Sequence, residues 1–184
     1  SLQMIIASQK KKENIAEYLL YMWQIEDIIR AYGLDIDQIQ KHIIDSYDLP
    51  EEQKKNMRDW YESLIDMMHS EGVEKKGHLQ LNKNVLIDLT DLHLRLLKST
   101  REPFYGAAFF KTLPYIVELR AKSGEGKTGE LETCFNALYG VLLLRLQKKE
   151  IQSDTLKAIQ QISTFLSILA EKYKQEKAGE LELE

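Results

Sequence analysis

The chain has 184 residues, 43% hydrophobic and 29% charged, enough for a sizeable core and too apolar for bulk disorder. A net charge of −4 and a pI near 5.7 argue against a nucleic-acid partner, which needs a basic footprint to release counterions. The one basic run, Lys10-Lys11-Lys12, reads as a solvated helix face. A single cysteine, Cys134, excludes an intramolecular disulfide and a thiolate zinc site and reads as a small buried hydrophobe. No apolar run approaches the ~20 residues of a membrane span. In Met4-Ile5-Ile6-Ala7 the apolar residues precede the lysines, the reverse of a secretory signal. These features predict a cytoplasmic protein with no membrane partner.

Three prolines and nine glycines favour long regular elements, and about seven helical segments follow in chain order. The first spans about 9–32, with a buried stripe of Ile15, Leu19, Met22, Ile25, Ile28 and Ile29, and stops at Gly33, a natural left-handed cap. The second starts at Asp35, with Gln38 three residues on as in a capping box, and runs to about Ser46. Pro50 opens the third, whose apolar face carries Trp60, Leu64, Met67 and Met68, and Gly72 lies past its end. The fourth, about 81–98, is apolar on most sides and reads as central. Pro103 begins the fifth, and Pro114 should kink or split it. Ser123 to Gly129 is a glycine-rich linker. The sixth covers about 130–149 and contains Val141-Leu142-Leu143-Leu144, with Gly140 suggesting a close helix–helix approach. Asp154 is placed to cap the seventh, striped by Leu156, Ile159, Ile162, Leu166, Leu169 and Tyr173.

Short connections make consecutive helices antiparallel neighbours, so the expected fold is all-α, an antiparallel bundle or helical-hairpin array. One domain is set at 4–177, with 1–3 and 178–184 read as appended or disordered ends. Val141 to Leu144 and the Leu156–Leu169 stripe are the expected central packing pair.

Several motif look-alikes weigh against their bland readings. Ala121 to Thr128 fits a relaxed phosphate-loop pattern ending in Gly126-Lys127-Thr128, where backbone N–H groups wrap phosphates, Lys reaches their oxygens and Thr holds Mg²⁺. Such a loop must follow a strand, for which 114–119 is the only candidate, and the flexible-linker reading is favoured. Asp59 with Glu62 and Asp88 with Asp91 are i, i+3 acidic pairs of the kind that hold Mg²⁺ between facing helices. With 29 acidic residues, chance alone supplies roughly four or five such pairs, and the chain has five. Asp66-Met67-Met68-His69 has the wrong acid and no second copy for a di-iron bundle. His42 and His78 fall in polar or loop contexts, and His93 reads as a core or interface histidine. No catalytic residue, metal ligand or cofactor is indicated.

The densest constellation is Tyr18-Leu19-Leu20-Tyr21-Met22-Trp23 followed by Glu26, Asp27 and Arg30. It reads as core with a salt-bridged rim, Glu26 and Arg30 forming an i, i+4 pair, or as a face for a protein or small molecule formed by Tyr18, Tyr21, Trp23, Glu26, Arg30 and Trp60. Met4 to Ala7 and Glu13 to Trp23 resemble the start of an uncharacterised Bacteroidetes family, a domain of unknown function. Gly129 to Gly140, continuing to Glu150, resembles its C-terminal half. The resemblance, from Met4 to about Tyr173, implies an all-helical cytoplasmic bacterial protein and supplies no catalytic motif. The leading expectation is a non-enzymatic interaction or scaffold module forming a homodimer or binding another protein. The alternatives are a Mg²⁺-dependent phosphate- or nucleotide-handling enzyme and a small-molecule-binding bundle lined by Tyr18, Tyr21, Trp23 and Trp60.

Overall fold

The computed structural model describes residues 2–184. Among these lie eight α-helices and no strand: α1 Leu2–Glu13, α2 Ile15–Ala31, α3 Ile36–His42, α4 Glu51–Glu71, α5 Gln80–Lys98, α6 Pro103–Ser123, α7 Glu130–Leu146 and α8 Ser153–Lys177, with a 3₁₀ turn at Ile44–Ser46. The all-α expectation holds. The extra helix arises because the first segment breaks at Asn14, whose side-chain oxygen accepts the Ala16 N–H at 3.1 Å and starts α2 afresh. Gly33 (φ +67°) and Gly72 (φ +69°) sit in the left-handed region that ends α2 and α4. The Asp35 carboxylate caps α3 by accepting from the N–H groups of Asp37 and Gln38. Asp154 does not cap α8: Gln152 holds that position and Asp154 lies in the first turn, where its charge suits the helix dipole. Pro114 does not split α6, which runs through it unbroken.

The chain packs as two compact units, one holding the segment ending at Glu13 together with Glu17–Val85, the other Asn14–Ala16 and Leu86–Glu184. In the first, α4 packs against α1 and α3. Its core joins Leu19, Met22, Ile25 and Ile29 of α2 to Met57, Tyr61 and Met68 of α4, all at most 2% exposed. Each such side chain contributes about 1.5–3 kcal/mol on burial.

In the second unit α8 packs on α6 and α7, and α6 on α7. Ile159, Ile162, Leu166, Leu169 and Tyr173 of the predicted α8 stripe are buried, with Phe165 beside them, and Leu156 is only partly covered; Val141 is buried but Leu142, Leu143 and Leu144 are only partly covered. No atom of another described helix would come within 4 Å of a Cβ at Gly140, so the expected close helix approach there is absent. The last residues fold back on this unit: the Ser99 hydroxyl donates to the Leu183 carbonyl at 2.7 Å and Arg101 pairs with Glu182 at 2.9 Å. The fourth predicted segment is less buried than expected, since Ile87 and Leu94 of α5 stand in solvent.

Candidate functional site

The predicted α2 constellation divides into a polar clamp and a groove. In the clamp, the Glu26 carboxylate is buried on α2 beneath the loop joining α4 to α5. One oxygen lies 2.7 Å from His78 Nδ1, and the other accepts from the Leu79 N–H at 2.8 Å and Asn82 Nδ2 at 2.9 Å. Trp23 stacks on the His78 ring, 4.2 Å between centroids and 13° between planes. One turn on, Arg30 donates to the Val73 carbonyl (3.0 Å from Nη2) and the Gly77 carbonyl (2.6 Å), while Nη1 reaches Asp27 at 3.0 Å. The expected Glu26–Arg30 pair therefore does not form. The guanidinium serves the loop's carbonyls, and the buried acid serves His78 and the buried donors of Leu79 and Asn82, which are costly to leave unpaired.

The groove lies between α1, α2 and α4 and has a volume of about 290 Å³. Tyr18 and Trp60 both line it, with Met4, Met22, Met67 and Leu64. Lys11 stands over the Tyr18 ring, 5.6 Å from its centroid. Tyr21 and Trp23 are not among the residues lining this groove, which brings together Tyr18 and Trp60 of the four aromatics. Trp23 is buried against His78, and Tyr21 is half-buried with Lys10 5.9 Å from its ring centroid. Burial, then Tyr47, pushes the Tyr21 hydroxyl up to about 12.

A family model described as Domain of unknown function (DUF4924) matches residues 4–180, nearly the whole chain. The chain belongs to the DUF4924 family. No curated protein and no solved structure shows significant similarity to it.

In this DUF4924 chain the phosphate-loop look-alike lacks its structural context. Helix α6 runs to Ser123 where a strand is required, Gly124 ends it in the left-handed region, and Gly126 and Lys127 lie in the exposed linker before α7, with Thr128 half-buried. Of the acidic pairs, Glu62 is held by Arg58 at 3.0 Å and Asp91 by Arg95 at 3.0 Å. Among the described residues no three His, Cys, Asp or Glu side chains converge in a metal-binding arrangement. No described helix is long and apolar enough to cross a membrane.

The second unit holds the other polar cluster. His93 of α5 is buried among Tyr105, Phe109 and Phe165, with Nδ1 2.5 Å from the Tyr105 hydroxyl and Nε2 3.8 Å from Glu130. The direction of the hydrogen bond between Nδ1 and the Tyr105 hydroxyl depends on the ring tautomer, and Nε2 makes none among the described residues. Burial lowers the His93 pKa against the opposing pull of Glu130, which favours the neutral ring. Burial, then Glu130, pushes the Cys134 thiol up to about 12 despite Arg120, which makes it an unreactive core residue as expected. Sequence spacing missed His78 and Asn82 as partners of Glu26, since 52 and 56 residues separate them. The one local hint is a histidine two residues before the start of α5.

Proposed function

We propose that the chain is a non-enzymatic helical interaction module that forms a homodimer in the cytoplasm, where its one cysteine serves as a buried thiol. The observation that carries this reading is the outer face of α6. Phe104 is 88% exposed, Phe110 64% and Val117 55%. Phe110 and Val117, seven residues apart, share a line on the helix with Ala107 and Pro114 beside them. Contiguous apolar rows of this kind on a soluble unit mark protein interaction sites.

Charge on the same face favours a second copy as the partner. Lys111 and Glu118 are also seven apart, so two α6 helices crossing antiparallel about Pro114 set Lys111 of one copy opposite Glu118 of the other. That arrangement is isologous, using the same patch on both copies. Within the chain Glu118 reaches Lys122 at 3.0 Å, and Lys111 has no ion-pair partner among the described residues.

Sedimentation velocity over about 1–100 μM, the range of modest self-association, tests the reading. The wild type is expected to reach dimer mass, and Phe110→Asp/Val117→Asp to stay monomeric with an unchanged helical circular-dichroism spectrum. A wild type that remains monomeric throughout overturns the homodimer.

A further inference from the structure

We propose that the groove between α1, α2 and α4 receives a basic amphipathic helix from a partner protein. Its apolar stripe would enter the groove and its lysines or arginines would meet the carboxylates of α4. The walls favour side chains of varied shape: three of the chain's five methionines, Met4, Met22 and Met67, line the groove beside Trp60 and Leu64. Flexible thioethers re-pack around different apolar groups, as promiscuous helix-binding surfaces require. At about 30 Å³ for each water-sized group, 290 Å³ holds on the order of ten heavy atoms. That suits two or three leucine- or methionine-sized anchors at i, i+3 or i+4 and i+7 of a docked helix, with its backbone outside.

The α4 border supplies the sign of the charge. Ser63 and Met67 line both the groove and a shallow depression that also carries Asp59 and Asp66. Glu62 and Glu71 in that depression are occupied, by Arg58 and by the Gln80 N–H. Asp59 and Asp66 are exposed and have no partner among the described residues. They lie seven residues apart, two helical turns or about 10 Å. A helix aligned with α4 carries the same repeat, so two basic residues at i and i+7 each face one carboxylate. At the α1–α2 wall Lys11 sits over Tyr18, so the partner's basic flank belongs on the α4 side and its other flank is neutral or acidic. The proposal does not depend on the α6 dimer, because all its residues lie in the first unit.

The test uses the full chain and two fluorescein-labelled helical peptides of about 18 residues, five turns. Both carry leucines at i, i+4 and i+7; one has lysines at two flank positions seven apart, and the other has glutamates there. Fluorescence anisotropy is expected to show the lysine peptide binding at least tenfold more tightly, with affinity falling as salt rises. Asp59→Lys/Asp66→Lys, a surface change, should reverse the preference, and Phe110→Asp/Val117→Asp should leave it unchanged. No binding of the lysine peptide, equal affinity for both peptides, or no response to the α4 reversal overturns the proposal. So does loss of dimer mass in Asp59→Lys/Asp66→Lys, which would make the occupant a second copy.

Discussion

Glu26 and Arg30 show how two charges one turn apart on α2 can organise a loop by complementary polarity. Glu26 serves His78, Leu79 and Asn82, while Arg30 serves the Val73 and Gly77 carbonyls. Removing the buried carboxylate leaves several donors unsatisfied, so Glu26→Ala should cost about 3 kcal/mol. At ~2–4 °C per kcal/mol for this size, that lowers Tm by on the order of 10 °C. Glu26→Gln keeps one acceptor and should lose roughly half as much in the same melting experiment; equal melting of wild type and Glu26→Ala would deny the clamp a structural role. His93 gives a pH prediction. Burial lowers its folded pKa, so the unfolded chain binds the proton more readily and stability falls as pH drops through about 6.5. Urea midpoints between about pH 7.5 and 5.5 should fall more in the wild type than in His93→Gln. Equal slopes would rule out this contribution.

At the scale of elements, local signals located helix ends best where a side chain or a left-handed residue acts within a few positions. Gly33, Gly72 and Asp35 belong to that class. Asn14 belongs to it too, and it was missed because the apolar stripe to its C-terminal side ran on and a lone Asn inside a helical pattern carries little weight. Gly140 misled in the other direction: the interior glycine suggested a tight helix crossing, yet no neighbouring described helix approaches its Cβ position. Without a packing reason the glycine only weakens α7. Gly140→Ala should therefore stabilise the protein by about 0.5–1 kcal/mol, read as a higher urea midpoint with unchanged slope. A loss of stability would reveal a neighbour that needs the space.

For the whole molecule, the proposed function rests on exposed faces. A dimer through α6 makes melting depend on concentration, because only the folded chain associates. Tm should rise from about 1 to 100 μM in the wild type and stay flat in Phe110→Asp/Val117→Asp. The sequence by itself determined the helical class, most helix ends and most of the buried stripes of α2 and α8, because periodicity and caps act within one or two turns. Only the tertiary structure decided which predicted site residues meet. It placed Tyr18 with Trp60 in a groove, turned Glu26 and Arg30 from each other towards a loop, and left Phe104, Phe110 and Val117 in solvent. The reason is physical: periodicity marks which residues are apolar, whereas packing against segments tens of residues away decides which of them are covered.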